Sequence, residues 1–173
     1  MLTLLSNNID PWVTPAQAIT KEFLSQIPRG LKYIEPCAGD GSIIKSMKDH
    51  ARCRFACDIN PRHPSVIQRD CFDITNAELG GAKTVITNTP FDQHFVRQFV
   101  QHFNVRGLSV WLILPAEFMF KAKVGDIMSA CEIIVPIGAL QWFPNTESRG
   151  WRLYGWYKFV PNTPRLRVIY KNR

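Results

Sequence analysis

The stretch that decides the predicted fold reads Tyr33-Ile34-Glu35-Pro36-Cys37-Ala38-Gly39-Asp40-Gly41-Ser42. The apolar residues 31–34 predict a buried strand that ends at an acid. A turn with two glycines follows, and residues 42–48 predict a helix because apolar side chains recur there at helical spacing. A strand, a glycine-rich turn and a helix in this order are typical of a doubly wound sheet that presents backbone N–H groups to a nucleotide-like ligand.

The composition predicts one globular domain with a basic surface. The chain has 173 residues, of which 46% are hydrophobic, which suits a single core. No apolar run approaches the ~20 residues of a membrane span, and residues 1–5 lack the basic flank of a signal peptide. The net charge of +7 favours a polyanionic partner. The five cysteines include no Cys-x-x-Cys pair, so we expect reduced thiols and no metal site.

Acidic and polar residues stand at the ends of further predicted strands. Asp58 ends the second strand, at the distance from the first turn where an acid commonly binds ribose hydroxyls. A third strand over 65–73 carries acids near its end, and a fourth over 84–87 leads into Asn88-Thr89-Pro90-Phe91. Adjacent parallel strands place their carboxyl ends side by side, so these residues are candidates for one site. The segments after the second and fourth strands could instead be ordinary turns.

The remaining elements follow from local patterns. Thr14 and Pro15 fit the N-cap and the first position of a helix over 16–27. The spacing of apolar residues predicts an amphipathic helix over 92–103, and an unbroken apolar run predicts a central buried strand over 108–114. Three further elements are predicted, namely a helix over 121–131 and strand pieces over 132–135 and 140–143.

Two motifs resemble those of one enzyme family. The segment from Glu35 to Gly41 resembles the first motif of the S-adenosylmethionine-dependent methyltransferases, whose turn passes under the methionine part of the cofactor. The dinucleotide fingerprint Gly-x-Gly-x-x-Gly does not fit, because Ile44 stands at its third glycine position. The segment Asn88-Thr89-Pro90-Phe91 resembles the Asn-Pro-Pro-Phe motif of the amino-group methyltransferases of class I, with Thr89 in place of the middle proline.

The resemblance covers roughly residues 10–160. Within it, the small core with its upstream Thr-Pro segment is similar to compact, phage-type adenine methyltransferases. It implies an α/β fold, Rossmann-like and doubly wound, with a mostly parallel sheet of about seven strands. The aromatic run 152–160 would supply the antiparallel last strand. A single methyltransferase domain over 1–173 would comprise an N-terminal segment (1–30) that closes over the cofactor, a Rossmann-like core (31–160) and a basic tail (161–173), which is either an edge strand or a basic arm.

The resemblance also implies which residues act. Those that would bind S-adenosylmethionine are Thr14, Pro15, Glu35, Pro36, Cys37, Ala38, Gly39, Gly41, Asp58, Ile59, Asp70, Cys71, Phe72 and Asn88. Those that would carry catalysis are Asn88, Thr89, Pro90 and Phe91. Those that would bind nucleic acid are Lys121, Lys123, Arg149, Arg165 and Arg167.

Individual roles follow from the same resemblance. Asp58 would accept hydrogen bonds from the ribose hydroxyls, and Asp70 would accept one from the adenine amino group. Phe72 would pack near the adenine ring, or belong to the core. The side-chain oxygen of Asn88 and the backbone carbonyl of Thr89 would each accept a hydrogen of the substrate amino group. The ring of residue 91 would stack on the target base.

The implied reaction is methyl transfer to the exocyclic amino group of adenine in DNA, in the cytoplasm of a bacterial or phage-infected cell and without a membrane partner. Adenine in RNA and a protein glutamine amide remain open as substrates. A binding module that kept the pocket and lost catalysis is also open, because Thr89 departs from the motif. A nicotinamide-dependent oxidoreductase is disfavoured by Ile44. The sequence leaves the oligomeric state open.

Overall fold

The computed structural model describes residues 13–142, 152–162 and 166–169, and an eight-stranded sheet lies at its centre. The strands are β1 (Lys32–Pro36), β2 (Arg52–Asp58), β3 (Ile67–Gln68), β4 (Thr84–Thr87), β5 (Ser109–Pro115), β6 (Cys131–Ala139), β7 (Leu153–Phe159) and β8 (Arg167–Val168). They lie in the order β3-β2-β1-β4-β5-β7-β6-β8. Only β7 runs antiparallel to its neighbours among the described strands.

This sheet confirms the predicted doubly wound, mostly parallel α/β fold with an antiparallel strand near its C-terminal end. Eight strands lie within the described residues where about seven were predicted, and the two-residue strand β8 forms one edge of the sheet. Part of the predicted basic tail is therefore an edge strand, since Arg167–Val168 pairs in parallel with β6.

The helices pack on both faces of the sheet. The α-helices are α1 (Lys21–Ser25), α2 (Ser42–Met47), α3 (Gln93–Asn104) and α4 (Gly125–Met128), and 3₁₀ helices span Ala16–Ala18, Cys71–Asp73 and Ala116–Phe120. Successive residues of a strand point to opposite faces. Accordingly Val85 packs in one apolar cluster with α3, and Ile86 packs in a second cluster with α1 and α2. None of the described helices combines the length and the apolar character that a membrane span needs.

The predicted helix over 16–27 is wrong, and a distant contact explains why. The carbonyl oxygen of Ala18 accepts a hydrogen bond from the indole N–H of Trp156 at 2.7 Å, so it is not paired within a continuous helix. The chain forms a 3₁₀ turn there and starts again at α1, whose N-cap is Thr20 and not Thr14. Phe23 then packs between the rings of Trp111 and Trp156, at centroid distances of 5.3 and 4.2 Å.

Three other element predictions need correction. The predicted third strand is only β3, because the Asp70 carboxylate accepts the Phe72 N–H at 2.9 Å and starts a 3₁₀ helix. The predicted helix over 121–131 contracts to α4. The predicted strand piece over 132–135 lies within β6, which continues to Ala139 and whose pairing with β7 shifts register between Pro136 and Gly138. Proline and glycine are tolerated at a register shift because the hydrogen bonds between the two strands are already interrupted there. The piece predicted over 140–143 is wrong where the structure describes it, because residues 140–142 follow β6 and belong to no strand.

Candidate active site at the carboxyl edge of the sheet

A cavity of about 770 Å³ lies at the carboxyl ends of β1, β2 and β4. This is where an open α/β sheet usually binds its ligand, and the volume is within the usual range for small-molecule sites. The lining residues come from the ends of these strands and the segments that follow them. They are Thr14, Glu35, Cys37, Ala38, Gly39, Asp40, Ser42, Ile43, Asp58, Ile59, Asn60, Arg62, Arg69, Asp70, Cys71, Asn88, Thr89, Pro90, Phe91 and Phe95.

The glycine-rich turn is held against β2 by reciprocal hydrogen bonds. The Asp58 carboxylate accepts the N–H of Gly39 at 2.8 Å and that of Asn60 at 2.8 Å. In return, the carbonyl oxygen of Gly39 accepts the backbone N–H of Arg62 at 2.9 Å. Gly39 has a φ of +51°, in the left-handed region that favours glycine. Asp58 therefore shapes the turn as well as lining the cavity.

Glu35 is a buried acid at the end of β1, with only 1% of its surface exposed. Burial raises its pKa well above the ordinary value, and the nearby Asp40 and Asp58 raise it further, while a hydrogen bond from the Ile44 backbone opposes them. One carboxylate oxygen, Oε2, is buried without a hydrogen-bond partner within the described residues. The folded protein therefore holds the Glu35 proton to a higher pH than an exposed glutamate would, and a cation bound in the cavity would oppose this shift of the pKa.

Thr87 joins the end of β4 to the end of β1. Its side chain is fully buried, and its hydroxyl donates a hydrogen bond to the carbonyl oxygen of Pro36. The carbonyl oxygen of Cys37 lies 3.5 Å from the same hydroxyl. The last residue of β4 thus connects the glycine-rich turn to Asn88, the next residue of the chain. Sequence reasoning missed Thr87, whose only signal was a polar residue at the end of an apolar strand.

The segment from Asn88 to Phe91 is held at both ends. It follows β4 directly, and it precedes α3, whose N-cap Asp92 accepts the N–H of Phe95 at 2.9 Å. Asn88 Oδ1 and Thr89 Oγ1 are buried, and neither has a hydrogen-bond partner in the part of the chain that the structure describes. Leaving such an atom unpaired costs roughly 1–3 kcal/mol, so a ligand that supplied a partner for either atom would recover this free energy.

The cavity lining also includes the ring of Phe91 and the thiols of Cys37 and Cys71. The Phe91 ring lies 6.0 Å from the Trp142 ring and 5.8 Å from the Tyr154 ring, measured between centroids. A hydrogen bond with Cys71, together with burial, raises the pKa of the Cys37 thiol well above its ordinary value. Because the thiolate is the nucleophilic form, Cys37 is a poor nucleophile in this environment.

The structure brings most of the predicted cofactor residues and all four predicted catalytic residues to one cavity. Pro15, Pro36 and Gly41 are next to lining residues in the chain but do not line the cavity themselves. The Phe72 ring packs instead against Phe95 and His102, and it lines a separate surface groove of about 420 Å³.

The predicted nucleic-acid residues do not line the cavity where the structure describes them. The Lys121 ammonium lies over the Phe118 ring at 5.6 Å, Lys123 is exposed, and Arg167 lies in β8. Arg149 and Arg165 lie outside the described residues.

Sequence reasoning also missed several lining residues. The two basic ones are Arg62 and Arg69, and the Arg69 guanidinium forms an ion pair with Glu78. Their only signal was their position beside predicted strand ends. Across the described residues, no group of three or more His, Cys, Asp or Glu side chains is arranged to hold a metal ion.

Comparisons with known proteins support the fold. No protein-family model matches the sequence, and no curated protein matches it significantly. Among solved structures, a dimethyladenosine transferase from Plasmodium falciparum is similar with a TM-score of 0.51 and 14% identity, over 81% of this chain and 58% of that chain. The 23S rRNA methyltransferase ErmE has a TM-score of 0.47 and 12% identity, over 84% of this chain and 70% of that chain. This chain thus spans less than two thirds of the dimethyladenosine transferase, with which it shares a fold.

Proposed function

We propose that the protein is an S-adenosylmethionine-dependent methyltransferase that acts on the exocyclic amino group of adenine in DNA. One observation carries this proposal. The glycine-rich turn with Asp58 and the segment that begins at Asn88 line the same cavity, and the Asn88 side-chain oxygen is buried and unpaired within the described residues. The fold shared with a dimethyladenosine transferase supports the reaction class.

The cavity's side chains suit the proposed cofactor. S-adenosylmethionine supplies a methyl group on a positively charged sulfur, which makes the methyl easy to transfer. A carboxylate has about four lone-pair sites, so Asp58 retains sites for ribose hydroxyls after its bonds to the N–H groups of Gly39 and Asn60. Asp70 uses one oxygen for the Phe72 N–H and retains the other for an adenine amino group. The unpaired oxygen of Glu35 suits the cofactor's ammonium group.

The chemical task of the Asn88 segment is to localise a lone pair. An aromatic amino nitrogen is a poor nucleophile because its lone pair is delocalised into the ring. Asn88 Oδ1 would accept one amino hydrogen, and the backbone carbonyl of Thr89 would accept the other. Both bonds favour a tetrahedral nitrogen and the positive charge that it gains on methylation. Phe91, whose ring packs against those of Trp142 and Tyr154, would stack on the base and orient it.

A nucleic acid is the proposed substrate because the chain carries a net charge of +7, and DNA is the first candidate because the two motifs resemble those of compact, phage-type adenine methyltransferases. A base within a duplex cannot reach a cavity at the edge of a sheet, so the target adenine would be flipped out or single-stranded. Adenine in RNA is the second candidate. It is favoured by the same site, because the proposed contacts of Asn88, Thr89 and Phe91 are to the base and not to the sugar.

Transfer of a tritiated methyl group tests the proposal directly. The protein is incubated with labelled S-adenosylmethionine and, separately, with single-stranded DNA, duplex DNA, RNA and a mixture of proteins. We expect label in DNA, recovered after digestion as N6-methyladenine. Label in RNA alone would show that the substrate is adenine in RNA and not in DNA, and label in protein alone would favour a glutamine amide as the acceptor. Cofactor binding without transfer to any acceptor would favour a binding module.

A further inference from the structure

The inference concerns Thr89, the residue at which the segment departs from Asn-Pro-Pro-Phe. Its side chain is almost completely buried, with 4% of the residue exposed, and it lines the cavity beside Asn88. Its hydroxyl has no hydrogen-bond partner within the described residues. A proline in this position has no side-chain donor, so the substitution adds a polar group that the protein's own described structure does not use.

The two unpaired atoms differ in what they can do. Asn88 Oδ1 can only accept a hydrogen bond, whereas the Thr89 hydroxyl can donate one. Adjacent acceptor and donor groups complement an amino group that stands beside a ring nitrogen with a free lone pair. Adenine has this arrangement, with its 6-amino group next to N1.

We infer that Thr89 positions the target base: its hydroxyl donates a hydrogen bond to N1 of the target adenine, while Asn88 accepts from the adjacent amino group. This inference rests on the proposed function. The contact orients the base and does not activate it, because a hydrogen bond at N1 draws electron density away from the amino nitrogen. Its benefit is correct placement of the amino nitrogen and a partner for a buried hydroxyl.

A substrate analogue that lacks only N1 tests the contact. Two pools of random single-stranded oligonucleotides are prepared in each polymer, DNA and RNA: one pool carries adenine and the other carries 1-deazaadenine at every adenine position. Single-turnover methyl transfer is measured at saturating cofactor for the wild type, Thr89→Val and Thr89→Ser. The deaza change alters the intrinsic reactivity of the amine equally for all variants, so the ratio of rates on the two pools is compared between proteins.

If the Thr89 hydroxyl contacts N1, replacing N1 should slow the wild type more than it slows a variant without the hydroxyl. The adenine-to-deazaadenine rate ratio of the wild type should exceed that of Thr89→Val by about tenfold, the usual effect of one lost hydrogen bond to a buried group. Thr89→Ser, which keeps the hydroxyl, should retain most of the wild-type ratio. Thr87→Val is the matched control, because it removes a neighbouring buried hydroxyl that already has a partner. Thr87→Val should slow methyl transfer to both pools by the same factor and so leave the adenine-to-deazaadenine rate ratio unchanged.

Two results would overturn the inference. Equal ratios in the wild type and Thr89→Val would show that the hydroxyl does not contact N1, and Thr89→Ala gives the same comparison if the valine variant does not fold. No transfer by the wild type to either adenine pool, as DNA or RNA, would instead overturn the proposed function, and the inference would fall with it. As a second readout, Thr89→Val should melt no lower than the wild type, because its hydroxyl has no partner to lose.

Discussion

The hydroxyl of Thr87 donates a hydrogen bond to the carbonyl oxygen of Pro36, and this bond links the two halves of the candidate site. Pro36 ends β1 and leads into the glycine-rich turn, whereas Thr87 ends β4 and is followed by Asn88. The bond is buried, so water does not compete with it. The Thr87 side chain therefore adds to the pairing of β1 with β4 in fixing the proposed cofactor turn relative to the proposed catalytic side chain.

Thr87→Val should weaken both stability and function. We expect unfolding to become easier by about 1 kcal/mol or somewhat more, because a buried carbonyl loses its partner, and we expect lower cofactor affinity and slower turnover. Thr84→Val is the control, since Thr84 bonds the Ser109 hydroxyl at 3.2 Å at the other end of β4. It should lose stability and keep its cofactor Kd. Denaturant unfolding and calorimetry measure both quantities, and a wild-type Kd in Thr87→Val would contradict the linking role.

Asp58 should contribute to cofactor binding in two ways. S-adenosylmethionine should raise the Tm of the wild type by mass action, and Asp58→Ala should reduce this shift. The alanine removes both the proposed ribose contact and the anchor of the Gly39 N–H. Asp58→Asn keeps one acceptor oxygen and should lose less affinity. A charged hydrogen bond contributes about 1.5–3 kcal/mol, which is roughly a 10- to 150-fold change in Kd. An unchanged Kd in Asp58→Ala would remove Asp58 from the site.

Glu35 should make the protein less stable as pH rises. The pKa of its carboxyl is raised in the folded protein, mainly by burial. Between the ordinary pKa and the raised one, the folded state holds a proton that the unfolded chain has already released, so the free energy of unfolding falls with increasing pH. Glu35→Gln should remove this fall in the free energy of unfolding, so its stability should match that of the wild type only at low pH.

Thermal melting from pH 4 to pH 8 measures this effect. Glu22→Gln on α1, whose carboxylate does not line the cavity, serves as the control and should keep the wild-type slope. The gap between Glu35→Gln and the wild type should widen as pH rises. A Glu35→Gln protein that melts below the wild type at pH 8 would show that the ionised carboxylate stabilises the fold, against this account.

Binding to single-stranded DNA should weaken steeply with salt. Released counterions set the slope, at about −0.7 per phosphate contact for single strands. If Lys121 and Lys123 each contact a phosphate, changing both to glutamine should reduce the slope by about 1.4. Lys45 and Lys48, which are exposed at α2, provide a matched pair of control changes. Affinity that is flat between low and physiological salt would contradict a polyanionic substrate.

The elements that the sequence predicted well are those specified by local signals. The strand Thr84–Thr87 and the helix α3 agree with prediction to within a residue. Their signals are local: buried residues follow one another in the strand, and in α3 apolar residues recur at helical spacing after the N-cap Asp92. The helix predicted over 16–27 failed because the carbonyl of Ala18 bonds Trp156, 138 residues away. No pattern within that segment reports this contact.

The same distinction applies to the candidate site. Residues at strand ends, such as Asp58 and Asn88, could be placed at one edge because parallel strands end together. The link from Thr87 could not be predicted, since its acceptor Pro36 is 51 residues away and is a backbone oxygen. The unpaired hydroxyl of Thr89 was equally out of reach, because only the packed structure shows that no described partner satisfies it.

The central claim is that Asn88 shapes the substrate amino group and leaves cofactor binding to other residues. Single-turnover methyl transfer by Asn88→Ala at saturating S-adenosylmethionine, with the cofactor Kd measured in parallel, tests it most directly. We predict a rate lower by about 10²–10³-fold, as expected when a contact made mainly in the transition state is lost, with Kd nearly unchanged. Asn88→Asp, which keeps an acceptor oxygen, should retain partial activity. A wild-type rate in Asn88→Ala would contradict the account.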